Sequence, residues 1–134
     1  MKDSIDAFKE SGESFLELNG SYRDVYAQSD LIISDYSSAI FDFLYLRKPI
    51  LYAHFDKEEF FSGAHCYDKG YHDYEQDGFG EVCYDVESLV DILIEYMKDG
   101  CQLKDKYRDR VDNFFAYNDR NNCRRVYEKI KELK

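Results

Sequence analysis

The stretch that most constrains the fold is residues 31–52. Leu31-Ile32-Ile33-Ser34 is an apolar, β-branched run without polar alternation, the pattern of a strand buried on both faces. The polar loop Asp35-Tyr36-Ser37-Ser38 follows. Ala39 to Leu46 reads as a helix, apolar on nearly every side and therefore buried. Arg47-Lys48-Pro49 stops it, because proline cannot continue the hydrogen-bond ladder and disfavours helical backbone in the residue before it. Ile50-Leu51-Tyr52 then starts another strand. A strand, a crossover helix and a second strand form a unit whose two strands run parallel in one sheet.

The rest of the chain extends this pattern. Residues 3–11 read as a helix or a frayed start. Phe15–Leu18 is a short apolar strand ended by the turn dipeptide Asn19-Gly20. Ser21 caps a helix running to about Gln28, with Tyr22, Val25 and Tyr26 on one face. Residues 54–80 are irregular and rich in Tyr, Phe, Asp and Gly, and Gly78-Phe79-Gly80 asks for flexible backbone. Val82-Cys83-Tyr84 is a last strand. Asp85 caps a helix carrying Leu89, Leu93 and Met97, and Gly100 stands at its left-handed C-cap. Two amphipathic helices close the chain. One carries Leu103, Tyr107, Val111 and Phe114; the other, capped near Asp119, carries Cys123, Val126, Tyr127, Ile130 and Leu133. Strands alternating with helices predict a Rossmann-like, three-layer α/β domain over residues 1–134, with a doubly wound parallel sheet of about four strands. Ligands of such sheets bind beyond the strand C-terminal ends. That rule selects the loops at Asn19–Ser21, at Asp35–Ser38 and after Ala53.

Composition narrows the classes. A chain of 134 residues, 44% apolar, suits one ordered domain. The longest apolar runs are too short to span a bilayer and no charged-then-apolar leader opens the chain, so it reads as intracellular or as a piece of a larger intracellular protein. A net charge of −10 argues against nucleic acid as a partner. The charge is uneven, since residues 98–134 hold 11 Lys/Arg against 7 Asp/Glu. Solvated terminal helices account for this excess better than a basic face toward anionic lipid, although the latter would allow peripheral membrane association. Cys66, Cys83, Cys101 and Cys123 form no disulfide framework and read as reduced thiols. A zinc site from His65, Cys66, His72 and Cys83 matches no structural spacing, so neither metal nor cofactor is expected.

The chemistry points to the second loop. Ser37 or Ser38 stands at a helix N-terminus, where free backbone N–H groups attract anions and a hydroxyl adds a donor for phosphate oxygens. Simple N-capping by one serine explains the same residues. Asp42 tips the balance. A capping box needs its acid at the third helical position, which is Ile40 or Phe41 for either serine, so Asp42 in an apolar helix calls for another partner, such as a ligand hydroxyl.

The stretch Asp30-Leu31-Ile32-Ile33-Ser34-Asp35-Tyr36-Ser37-Ser38-Ala39-Ile40-Phe41-Asp42-Phe43, with Arg47-Lys48-Pro49-Ile50-Leu51, resembles the signature of the CDP-glycerol glycerophosphotransferase family. The resemblance extends, more weakly, over most of residues 14–130. It implies the C-terminal half of a two-domain GT-B transferase. Such an enzyme passes glycerol phosphate from CDP-glycerol to a glycerol-type hydroxyl in teichoic-acid-like polymer synthesis. It works at the cytoplasmic face of the membrane, on a polymer or lipid-linked acceptor held by the other domain. By position, Ser38 and Asp42 contact the donor near its phosphates, and Tyr36 and Ser37 shape the same pocket. By fold analogy, Asn19, Gly20 and Ser21 lie near the nucleoside.

Two departures accompany the resemblance. The histidines that the family uses for acid/base help have no counterpart here, so no catalytic residue is assigned; His54, His65 and His72 read as surface or pocket-rim residues. The family's "D-G-x-A-S" before the last helix is Asn118-Asp119-Arg120-Asn121-Asn122 here. Alternatives are another GT-B transferase using a nucleotide-sugar and a noncatalytic α/β interaction module. A receiver domain is set aside because Lys48 follows Asp35 by a single helix, and a serine hydrolase because Ser37 and Ser38 lack a nucleophile elbow.

Overall fold

The computed structural model describes residues 21–64 and 72–133. In chain order these form α1 (Tyr22–Gln28), β1 (Ile32–Ser34), α2 (Ile40–Leu44), β2 (Ile50–Ala53) and α3 (Lys57–Glu59). A π-helical turn (Phe60–Ala64) follows, then β3 (Glu81–Cys83), α4 (Val86–Lys98), α5 (Asp105–Phe114) and α6 (Asn122–Glu132).

The described strands build a three-stranded parallel sheet in the order β1-β2-β3. Ile32 pairs with Ile50 and Ser34 with Tyr52; Leu51 pairs with Glu81 and Ala53 with Cys83. The fourth expected strand, Phe15–Leu18, lies outside the described residues, as does the helix expected at 3–11. Order reversal, the mark of double winding, is absent from the three described strands. The expectation that β1 is buried on both faces is corrected. It stands at an edge of the described sheet, and Ile33 is 43% exposed. The two-sided burial belongs to β2, where Ile50, Leu51 and Tyr52 are fully buried between their neighbours.

The core gathers Tyr26 of α1, Ile40, Phe43 and Leu44 of α2, Ile50 and Tyr52 of β2, Phe79, Leu103, and Tyr107 and Val111 of α5. Each such side chain contributes on the order of 1.5–3 kcal/mol on leaving water. Helix α2 is shorter and less enclosed than its sequence suggests: Asp42 and Leu46 are exposed. Lys48 reaches back and donates from Nζ to the carbonyls of Tyr26 at 2.8 Å, Ala27 at 3.1 Å and Ser29 at 2.7 Å. It thereby occupies the C-terminal end of α1, where orphan carbonyls and the dipole favour a cation. This role accounts for the lysine of the Lys48-Pro49 pair.

The caps expected at Ser21, Asp85 and Gly100 are present, whereas the last helix, expected to be capped near Asp119, has Asn121 at its N-cap position without a side-chain cap bond. Ser21 Oγ accepts from the Asp24 amide at 3.4 Å, and Asp85 Oδ1 accepts from the Ser88 amide at 2.7 Å. Gly100 has φ +68°, the left-handed C-cap. Gly80 serves differently from what its sequence context suggests: a Cβ there would lie 2.0 Å from the Ile50 carbonyl oxygen. Close approach to β2, not backbone flexibility, requires glycine. Region 54–80 is also more regular than expected, because α3 and the π-helical turn occupy residues 57–64.

The amphipathic faces of the later helices are only partly covered by described residues. Leu103, Tyr107 and Val111 are buried, whereas Phe114 and the α6 residues Val126, Tyr127, Ile130 and Leu133 are exposed. Cys83, Cys101 and Cys123 are free thiols. No helix among the described residues is long and apolar enough to cross a membrane.

Candidate functional site

The Asp35–Ser38 loop leaves the C-terminal end of β1 and leads into α2. Its first half is tied down. Asp35 Oδ1 accepts from the Ser37 amide at 3.1 Å, and Ser37 Oγ accepts from the Ala39 amide at 3.3 Å. Side-chain acceptors two residues back reproduce the turn that a backbone carbonyl would otherwise close. The amides of Ile40 and Phe41 reach the carbonyls of Ser37 at 3.5 Å and Ser38 at 3.2 Å. Neither serine caps α2 as the sequence suggests. The N-cap position is Ala39, which has no side chain to do so, because one tight turn intervenes before the helix begins.

Tyr36 is the loop's anchor. Its ring stacks on His54 with centroids 4.2 Å apart and planes at 20°, and on Phe60 at 3.8 Å and 17°. Phe61 and Tyr74 meet it edge-on at 5.6 and 5.9 Å. Its hydroxyl donates to Asp56 Oδ1 at 3.4 Å. Burial, together with the Asp56 charge and hydrogen bond, pushes the phenol up to about 12. Tyr36 therefore stays neutral and its O–H stays a donor through the physiological range.

His54 departs from expectation most. It is 1% exposed, neither a surface nor a rim residue. It follows β2 directly, so sheet geometry carries it beneath the loop that follows the neighbouring strand. Its amide donates to the Cys83 carbonyl at 2.9 Å, and its ring meets Tyr74 edge-on at 4.5 Å. Burial pushes its pKa below the ordinary value, with the Asp35 backbone carbonyl acting in the opposite sense. Its Nε2 is buried without a hydrogen-bond partner among the described residues, a desolvation cost on the order of 1–3 kcal/mol. The sequence signal for this aromatic nest was the density of Tyr, Phe and His over residues 54–74, which carries no periodicity.

The loop's second half is open. Ser38 is exposed; among the described residues its Oγ and its N–H engage no partner. Asp42, in the first turn of α2, is also exposed, which corrects the inference that it needs a partner inside an apolar helix: water can solvate it. Its charge is felt by Tyr26, whose phenol is raised by burial first and by Asp42 second, and whose O–H donates to the Ala39 carbonyl at 2.9 Å. Tyr36, Ser37, Ser38 and Asp42 thus share one short segment. Ser21 is not brought to them by any described contact; its hydroxyl is engaged with Asp24. Asn19 and Gly20 lie outside the described residues.

The 118–122 turn docks at the opposite end of α2, where Tyr45 Oη donates to the Asp119 carbonyl at 2.8 Å. Asp119 is held at about 2 by Arg125 and by the Asn121 amide that it accepts. An open cleft between Tyr117, Arg124 and Lys129 borders this turn rather than the strand ends. No group of three metal-ligating side chains occurs among the described residues; His65 and Cys66 of the weighed zinc set lie outside them.

Comparison with known proteins agrees with the loop's signature. The family model for CDP-glycerol:poly(glycerophosphate) glycerophosphotransferase matches residues 2–132. The minor teichoic acid biosynthesis protein GgaB of Bacillus subtilis is 43% identical over 129 residues, covering 96% of this chain and 14% of that protein. The teichoic acid poly(glycerol phosphate) polymerase of Bacillus spizizenii is 30% identical over 90 residues, covering 67% of this chain and 22% of that one. The UDP-N-acetylglucosamine--N-acetylmuramyl-(pentapeptide) pyrophosphoryl-undecaprenol N-acetylglucosamine transferase 2 of Bacillus cereus is 28% identical over 125 residues, 92% of this chain and 34% of that enzyme. The chain therefore spans a minor part of each relative's length. No solved structure matches it.

Proposed function

The chain belongs to the CDP-glycerol:poly(glycerophosphate) glycerophosphotransferase family, and from that premise we propose that it is the donor-binding domain of such an enzyme. The observation that carries the reading is the division within the Asp35–Ser38 loop. Asp35, Tyr36 and Ser37 are spent on holding it, while the N–H and hydroxyl of Ser38 engage no partner among the described residues at the end of β1. A backbone amide and a hydroxyl on a fixed loop beyond a parallel strand suit a pyrophosphate. Asp42, exposed one turn on, suits the glycerol hydroxyls, because a carboxylate accepts from them and repels phosphate to its own side. Tyr36 and Ser37 hold the loop to this shape. Ser21, Asn19 and Gly20 are assigned to the nucleoside on fold analogy.

The reaction that fits this reading is attack by an acceptor hydroxyl oxygen on the glycerol-side phosphorus. The new P–O bond forms as the bond to the CMP oxygen breaks, and the acceptor proton passes to a base. Ser38 and its neighbours would bear the phosphate charge, and orientation supplies much of the rate. The base and the acceptor site would come from a facing domain beyond residues 1–134. The enzyme would work at the cytoplasmic face of the membrane on a polymeric or lipid-linked glycerol phosphate acceptor.

A second reading, a nucleotide-sugar donor on the same loop, is favoured by the similarity to the N-acetylglucosamine transferase. Calorimetric titration of the chain with CDP, CDP-glycerol, UDP and a UDP-sugar separates the two. Tighter binding of the cytidine compounds supports the first, tighter binding of the uridine compounds supports the second, and no binding of any of the four refutes both.

A further inference from the structure

Histidine is a costly choice for the place it fills. At the end of β2 its ring is enclosed by Tyr36, Tyr52 and Tyr74, with centroids 4.2, 5.6 and 4.5 Å away. A phenylalanine would provide the same flat surface without an unpartnered Nε2 in the interior. What the imidazole has and phenylalanine lacks is a ring N–H for the Asp35 backbone carbonyl and titration near neutrality.

The neighbouring geometry says what that titration would act on. Tyr36 sits between His54 on one face and Phe60 on the other. Tyr36 belongs to a loop whose other ties are long or exposed: Asp35 Oδ1 and Ser37 Oγ accept from the Ser37 and Ala39 amides at 3.1 and 3.3 Å, Tyr36 Oη donates to Asp56 at 3.4 Å, and the Ser37 and Ser38 carbonyls accept from the Ile40 and Phe41 amides at 3.5 and 3.2 Å. Bonds of this kind hold a turn weakly, so the stack is a main constraint on where Ser37 and Ser38 stand. We propose that His54 is a positioning residue of the donor loop, which in its neutral form fixes Tyr36, and through it Ser38, for phosphate binding. The proposal rests on the reading of the loop given under Proposed function.

The charges around the ring define the effect of acid. Asp35 comes from the loop after β1, Asp56 and Lys57 from the start of α3, and Tyr36, Tyr52 and Tyr74 contribute neutral phenols. Burial and Lys57 disfavour the imidazolium; the Asp35 carbonyl and the Asp35 and Asp56 carboxylates favour it, and the balance lies below the ordinary value of 6.5. The neutral ring is therefore the form that fits. Its contribution to the ordered loop is complete above that ordinary value and is lost as the pH falls through the depressed one. Protonation places a charge in the enclosure that only local opening can solvate, and opening releases Tyr36.

Two variants test this in the chain itself. His54→Phe keeps the stacking surface and cannot titrate; His54→Ala removes the surface. Binding is measured with CDP-glycerol, whose bridged phosphates lack the ionisation near ~6 of a terminal phosphate. Wild type should lose affinity between about pH 7 and about pH 5, and His54→Phe should bind as wild type at the upper pH with that decline absent. His54→Ala should bind about tenfold more weakly throughout, as expected if the competent loop falls to about one molecule in ten. Hydrogen exchange without ligand gives the independent readout. The Ser37 and Ala39 amides should exchange faster in His54→Ala and at the wild-type rate in His54→Phe. Wild-type exchange and affinity in His54→Ala, or an undiminished acid decline in His54→Phe, would overturn the inference while leaving the donor reading intact. Failure of wild type to bind CDP-glycerol overturns the donor reading and, with it, the ligand role given to His54.

Discussion

Replacing Ser38 by alanine separates a ligand-binding serine from a structural one. The sequence alone leaves the two entangled, because an N-cap serine would lose about 0.5–2 kcal/mol of stability on the same substitution. The structure removes that ambiguity: the N-cap position is Ala39, and Ser38 Oγ makes no hydrogen bond among the described residues. Deleting an exposed, unbonded hydroxyl should change unfolding free energy by no more than about 0.5 kcal/mol. Affinity should respond quite differently. A hydroxyl bonded to charged phosphate contributes roughly 1.5–3 kcal/mol, so Ser38→Ala should weaken CDP and CDP-glycerol about ten- to a hundredfold. Cytidine, which has no phosphate, should bind unchanged. Urea denaturation and calorimetric titration on one preparation supply both numbers. Equal weakening of cytidine and CDP would mean that the serine shapes the fold. Unchanged affinity for all three would remove the phosphates from this loop.

Asp42→Asn should leave the melting temperature within a degree or two of wild type, as an exposed side chain allows, yet weaken CDP-glycerol more than CDP, which lacks the glycerol; calorimetry that finds both ligands equally affected would reject that assignment. Lys48→Met should cost about 1.5–3 kcal/mol in urea unfolding, because three carbonyls at the end of α1 lose a charged donor, and a loss under about 0.5 kcal/mol would show that water replaces it freely. Glu81 is raised by burial but held below its ordinary value of 4.5 by the Tyr107 hydroxyl at 2.7 Å and the Lys104 ammonium at 3.0 Å. Its stabilisation is therefore present above that value and disappears as the pH falls through the lower one, so Glu81→Gln should flatten this part of the acid limb in a stability-versus-pH profile.

Where a local rule governs an element, the sequence was legible. Asp85 and Ser21 read as caps and are caps, Gly100 reads as a left-handed terminator and is one, and Ile50-Leu51-Tyr52 reads as the start of a strand and lies in the middle strand of the described sheet. Where tertiary placement decides, the same reading failed. Ile32 and Ile33 look as apolar as Ile50 and Leu51, but β1 stands at an edge of the described sheet and Ile33 meets solvent. Nothing in a four-residue apolar run distinguishes a central strand from an edge strand, since the distinction lies in its neighbours. Gly80 illustrates the same limit. Its requirement comes from the carbonyl of Ile50, thirty residues away in the chain and in contact only once β2 and β3 pair.

The candidate site divides along the same line. Tyr36, Ser37, Ser38 and Asp42 were legible because they are consecutive or nearly so, and a signature can record them. The support beneath them was not, because His54 and Phe60 meet Tyr36 only when β1 and β2 are set side by side. That difference bears on how the loop works. A phosphate site needs donors that are free before the ligand arrives and fixed while it is bound, and these demands conflict within a single residue. Here they fall on different residues. Tyr36 is held on both faces of its ring, and Ser38, two positions on, keeps its amide and hydroxyl uncommitted. Under the proposed donor reading, the cost of ordering the loop would be met in the aromatic nest during folding, so that little of the ligand's binding energy would be diverted to it. On that reading His54, Asp56 and Phe60, which look irregular in sequence, belong to the proposed site through Tyr36 as much as the serines do.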